Sequence, residues 1–88
     1  MAILFFEGEY LNGLRNGRGK EYNDYGVIKF DGEYLNDKRN GIGKEYEYNK
    51  LTFEGQYLNG LRNGKGTEYN YKGKLLFEGE YLNGKKWN

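Results

Sequence analysis

The stretch "FEGEYLNGLRNGRGKEY", Phe6 to Tyr22, decides the fold, because close copies of it begin at Phe30, Phe53 and Phe77. The starts lie 24, 23 and 24 residues apart. A period in that range belongs to a repeat protein, in which each unit is one supersecondary element buried by its neighbours.

Each unit divides into two extended runs and two connections. The first runs are Ile3–Leu11, Val27–Leu35, Lys50–Leu58 and Lys74–Leu82. At alternate positions the first of them places Leu4, Phe6, Gly8 and Tyr10, and the later units repeat that column with Phe30 and Tyr34, Phe53 and Tyr57, and Phe77 and Tyr81. A period of two is that of a strand, not a helix. The second runs are Gly17–Tyr22, Gly41–Tyr48 and Gly64–Tyr71. Between the runs stands Asn–Gly, a strong hairpin signal because both residues tolerate positive φ. Asp37 takes the glycine place in unit two, which is expected to weaken that turn slightly. Four first runs and three second runs predict an all-β fold, a single-layer antiparallel meander of about seven strands built from stacked hairpins. The chain is expected to be one domain, residues 1–88, with units at about 3–23, 27–48, 50–71 and 74–88.

Glycine in a strand marks the close approach of another group. Gly17 and Gly19 share one parity, Arg18 and Lys20 the other. With Tyr10 opposite Gly19, the aromatics of the first run lie over second-run backbone that has no side chain. The reverse face then sets Glu7 and Glu9 against Lys20 and Arg18, a favourable cross-strand arrangement. Leu11, Leu35, Leu58 and Leu82 fall on that reverse side next to the turns, and Tyr22, Tyr46 and Tyr69 are expected to help cover it.

Composition excludes several chemistries. The 88 residues carry 14 basic and 13 acidic side chains, a net charge of +1, so the basic patch of a nucleic-acid binder is missing and no nucleic acid is expected as a partner. The chain has no cysteine, histidine or serine, which removes disulfides, thiolate metal sites, the usual neutral-pH acid–base residue and the usual triad nucleophile. The opening "MAILFF" is apolar, but it lacks a basic n-region and soon meets Glu7 and Glu9. It is too short for a signal peptide or a membrane span. A cytoplasmic location is expected, with membrane association as the variant. No proline interrupts the ladders, and ten tyrosines with five phenylalanines supply the apolar surface.

The phrase resembles the MORN repeat family: an aromatic, Gly two later, an aromatic two after that, Asn–Gly, a basic residue, Asn and Gly-x-Gly. Unit one shows Phe6, Gly8, Tyr10, Asn12, Gly13, Arg15, Asn16, Gly17 and Gly19, and unit three repeats the set from Phe53 to Gly66. Unit two departs at Asp37, and unit four keeps Phe77 to Lys86 before departing with Trp87. The resemblance covers three full units and a truncated fourth. It implies an elongated, twisted single sheet. It further implies a scaffold or protein-binding module, often dimeric, with some members linked to phospholipids and enzymatic domains lying outside the repeats.

Function is therefore expected to be non-catalytic, with no cofactor and no metal. Glu21, Glu45 and Glu68 recur in one register beside basic residues and read as a solvated, charge-paired surface. Asp24, Asp31 and Asp37 lack the dense loop pattern of a calcium site. A protein partner or homo-oligomer is expected, contacted through Tyr10, Tyr34, Tyr57, Tyr81 and Trp87, with the edge strand Leu75–Leu82 as the favoured surface. The alternative is peripheral membrane or phosphoinositide binding. There Arg15, Arg39, Arg62 and Lys86 would form a ladder of cations, about 10 Å apart at two strands per repeat, against lipid headgroup phosphates.

Overall fold

A computed structural model describes residues 5–87 of the chain. Ile3 and Leu4 of the first run, and Asn88 at the end of unit four, lie outside the described residues. Eight strands follow in sequence: β1 (Phe5–Leu11), β2 (Leu14–Tyr22), β3 (Ile28–Leu35), β4 (Lys38–Glu47), β5 (Lys50–Leu58), β6 (Leu61–Tyr69), β7 (Leu75–Leu82) and β8 (Lys85–Lys86). All lie in one antiparallel meander in chain order. Seven strands were expected. The eighth exists because Asn83–Gly84 turns the chain back far enough to pair Lys85 and Lys86 with Leu82 and Tyr81.

The turns are two residues long, and this sets the register. Asn12 and Gly13, Asn36 and Asp37, Asn59 and Gly60, and Asn83 and Gly84 all have positive φ, as the hairpin-forming type I′ turn requires. A two-residue turn fixes Leu11 opposite Leu14 and Tyr10 opposite Arg15, whereas Gly8 lies opposite Gly19. The expected pairing of Tyr10 with Gly19 is thus corrected. β2 carries two residues more than β1 between these points and absorbs them in a bulge around Gly17, whose φ is 100°. Because the shift is two, the faces keep their parity, and Glu7 does meet Lys20.

The bulge also explains Glu9. Its Oε1 accepts the Arg18 backbone N–H at 2.8 Å, as Glu33 does for Ile42 and Gln56 does for Lys65, both at 2.7 Å. The ladder bond lost at the bulge is replaced by a side chain, and Gln56 shows that the oxygen matters and not the charge. A second link runs between units. Asp37, Gly60 and Gly84 donate their backbone N–H groups to the carbonyls of Arg15, Arg39 and Arg62 at 2.8–2.9 Å. Asn59 and Asn83 donate theirs to the side-chain oxygens of Asn40 and Asn63. Each turn is therefore tied to the hairpin before it.

The core is a single file of rings. Phe30 and Phe53 are 0% exposed, and Tyr34, Tyr57 and Tyr81 are buried with them. Phe6, Phe30 and Phe53 each touch the tyrosine of their own unit and that of the next, edge to face, and Phe77 touches Tyr81 of its own unit. Phe30 lies 5.7 Å from Tyr34 and 5.2 Å from Tyr57, and Phe53 lies 5.7 Å from Tyr57 and 5.3 Å from Tyr81. Such pairs add about 0.5–1.5 kcal/mol each beyond area burial. The rings lie flat enough on the sheet to need bare backbone beneath them: a Cβ on Gly43 would sit 2.5 Å from Phe30 Cζ and 2.9 Å from Tyr57 Cε1.

The reverse face carries a row of charges in alternation. Glu7, Lys20, Asp31, Lys44 and Glu54 are successive cross-strand partners, and the row continues through Thr67 to Glu78. Thr67 stands where the other units have lysine, so Glu54 and Glu78 flank a neutral residue.

Two outcomes check this account. Gly43→Ala should lower stability by about 1–3 kcal/mol through overpacking against two rings, read by urea unfolding. Thr67→Lys should raise it by about 0.2–1 kcal/mol by completing the row. A neutral Gly43→Ala would mean that the rings do not depend on the bare strand.

Candidate binding surfaces

The charged groups expected on a solvated surface are in fact part of the packing. Glu21 lies on the aromatic face opposite Phe30 and is 2% exposed. Its carboxylate accepts the Tyr34 hydroxyl and two hydrogen bonds from the Arg39 guanidinium, at 3.0 and 2.8 Å. Glu45 repeats this with Tyr57 and Arg62, at 3.0 and 2.9 Å. Glu68 accepts the Tyr81 hydroxyl and lies 3.4 Å from both Arg62 and Lys86. In each case the carboxylate belongs to one unit and its tyrosine to the next, and for Glu21 and Glu45 the next unit also supplies the arginine that binds both carboxylate oxygens.

The arginines have a second contact. The Arg39 and Arg62 guanidiniums each lie 4.0 Å from the ring centre of the phenylalanine in their own unit, Phe30 and Phe53, and Lys86 Nζ is 4.8 Å from Phe77. The cation thus covers a ring and neutralises a carboxylate at once. Arg15 has no earlier unit to supply a carboxylate among the described residues. Its Nε donates to Asp37 Oδ1 at 2.8 Å and its Nη2 to the Asp37 carbonyl at 2.7 Å. Asp37, expected only to weaken its turn, supplies the missing partner.

Protonation follows the geometry. Burial pushes the Glu21 and Glu45 carboxyls up, but hydrogen bonds from Arg39 with Tyr34, and from Arg62 with Tyr57, outweigh it and hold both below the ordinary 4.5. Burial and the bond to the carboxylate push the Tyr34 and Tyr57 phenols well above the ordinary 10.0. A depressed carboxyl stabilises the fold fully above the unfolded value and loses that contribution as pH falls through the folded one. A raised phenol contributes fully below pH 10 and loses its contribution as pH rises towards its folded value.

Of the residues expected at a contact surface, Tyr34, Tyr57 and Tyr81 are taken up by this packing, while Tyr10 and Trp87 are more than half exposed. The four cations Arg15, Arg39, Arg62 and Lys86 do share one face, each opposite the tyrosine of its unit, and each has a carboxylate partner.

A different set of tyrosines is presented outward. Tyr25, Tyr48 and Tyr71 stand in the connections that lead from one unit to the next and are 83%, 91% and 70% exposed. Two grooves lie between them. One, of about 820 Å³, is bounded by Tyr25 and Tyr48 and has Glu21 and Arg39 in its lining. The other, of about 720 Å³, is bounded by Tyr48 and Tyr71 and includes Glu45, Arg62 and Glu68. They are the same groove one repeat apart, and Tyr48 is common to both. The sequence signal was present, since the three tyrosines are 23 residues apart. The strand pattern hides it, because Tyr48 and Tyr71 read as the last residues of the second runs, whereas β4 ends at Glu47 and β6 at Tyr69.

These features define a repeat protein whose hairpins are joined by partly buried ion pairs and interleaved rings. The family model for the MORN repeat matches residues 6–27, 30–47, 53–74 and 77–87, and the chain belongs to the MORN repeat family. Comparison with curated proteins returned no match.

Glu21→Ala should cost about 3 kcal/mol, because it strands the Arg39 guanidinium and the Tyr34 hydroxyl in the packed face. The urea midpoint of the parent protein should hold steady from neutral pH down to about 4.5 and fall below it. A midpoint that stays level to pH 2 would show that the buried carboxylates contribute nothing.

Proposed function

We propose that the chain is a non-catalytic scaffold that binds protein, and that the outer edge of β7 is one contact surface, able to pair with a second copy. One observation carries this reading. β7 meets β8 only at Tyr81 and Leu82, with the Trp87 backbone N–H donating to the Glu80 carbonyl at 3.1 Å. From Leu75 to Gly79 its outward side has no strand beside it among the described residues. Leu75 and Leu76 are more than half exposed there. An apolar edge without proline is a template for strand addition. Trp87 at the end of that edge, and Tyr10 at the other side of the sheet, are the exposed aromatic contacts of the proposal.

The reading in which Arg15, Arg39, Arg62 and Lys86 bind lipid phosphate is supported by their common face. It has less support than edge pairing, since a phosphate must displace a carboxylate already in place at each cation.

Light scattering across a concentration series tests the edge. A dimer that grows with concentration and is weakened by Leu76→Lys is the expected result, because an edge lysine opposes pairing. A monomer at every concentration would remove the edge from the account. Co-sedimentation with anionic vesicles at low salt is expected to show no binding, and salt-sensitive binding there would restore the lipid reading.

A further inference from the structure

We propose that the two grooves bounded by Tyr25, Tyr48 and Tyr71 bind one proline-rich segment in the polyproline II conformation, with a proline at every third residue. The inference rests on the protein-binding part of the reading above and not on the edge.

The first support is a match of periods. Adjacent hairpins in the sheet are about 10 Å apart, two strand spacings, so the equivalent grooves recur at about that interval. A polyproline II helix turns once per three residues and about 9.3 Å. Residues i and i+3 of such a segment therefore face the same way and fall into successive grooves. An extended strand covers the interval in about three residues too, but its side chains alternate, so neighbouring grooves would receive opposite faces. An α-helix is about 10–12 Å across, as wide as the spacing itself, and would rest on the tyrosine rims.

The second support is the chemistry of the walls. Tyrosine rings bound both grooves, and aromatic walls with phenol donors suit proline rings and the unbonded carbonyls of this conformation. Glu47 borders both grooves and is in no ion pair among the described residues. It is available to an arginine or lysine in the same segment, whereas the carboxylates deeper in the grooves are held by Arg39 and Arg62.

The third support is independent of the others. Tyr48 has φ 52° and the following Asn49 has φ 65°. Left-handed backbone is easy for asparagine and glycine and unfavourable for a bulky residue. Tyr48 and Asn49 form the two-residue turn between β4 and β5, whose type I′ geometry asks for positive φ at both. The other two-residue turns put asparagine first, at Asn12, Asn36, Asn59 and Asn83, and the longer β2–β3 and β6–β7 loops place glycine, Gly26 and Gly73, at their positive φ. Tyr48 is thus a strained residue whose ring is 91% exposed and packs no core. Strain without a packing return fits a residue kept for contact.

The test uses the full chain and two synthetic peptides of one composition, each with three prolines and one arginine. One has proline at every third position, and the other has the same residues permuted to break that spacing. Calorimetric titration should show binding of the first at least about tenfold tighter than of the second. Backbone amide shifts should move at Tyr25, Tyr48 and Tyr71. Tyr48→Asn should weaken binding about tenfold or more while keeping or raising the thermal midpoint, which separates contact from folding. Equal affinity for both peptides, undiminished binding by Tyr48→Asn, or no binding of the spaced peptide at millimolar concentration would each overturn the proposal. So would preferential binding of a helical heptad peptide. Light scattering of Tyr48→Asn reads the β7 edge separately, so failure of the groove and failure of the edge are distinguishable.

Discussion

A carboxylate on one hairpin, held by the tyrosine and arginine of the next, is the constraint on which the rest of the sheet depends. A lone two-stranded hairpin is marginal in water, and a single-layer sheet has no second layer to bury its face against. Here the burial is supplied laterally. Phe30 is covered on one side by its own Tyr34 and Arg39 and on the other by Tyr57 of the next unit. The hydroxyls and guanidiniums that come with those covers must have acceptors, and Glu21 and Glu45 provide them. A buried ion pair is weak evidence for net stability when compared with an apolar replacement. Its effect here is to fix which hairpin lies beside which, and in what register.

The same arrangement explains where the repeat tolerates change. Gln56 replaces a glutamate at a bulge without loss, because the position needs an oxygen acceptor for a backbone N–H. Asp37 replaces a turn glycine and in return satisfies Arg15. Lys86 replaces an arginine in the last described hairpin, where it reaches Glu68 at 3.4 Å with one ammonium and no fork. Each departure occurs where its loss is local or made up by a neighbour.

Much of the fold was legible in the sequence. Period-two aromatics gave the strands, Asn–Gly gave the hairpins, and glycine parity gave the shared face of rings and bare backbone. The register was missed by two residues, because a bulge leaves no mark in a hydrophobic pattern; Gly17 reads as a strand glycine until its φ is known. The burial of Glu21 was missed for a related reason. A glutamate beside lysine and tyrosine in a linear phrase looks solvated, and its partners Tyr34 and Arg39 lie 13 and 18 residues away in the next copy. The outward position of Tyr48 and Tyr71 was missed because both read as the ends of extended runs, while the strands stop at Glu47 and Tyr69. The distinction between Tyr34, which packs, and Tyr48, which does not, belongs to the third dimension.

The central claim is that adjacent hairpins are coupled through the shared carboxylate. A double-mutant cycle of Glu21→Gln and Tyr34→Phe, measured by urea unfolding at neutral pH, tests it most directly. Contacting groups in one network are predicted to show a coupling energy of about 1 kcal/mol or more, with the double variant less impaired than the sum of the singles. Strict additivity of the two changes would contradict it.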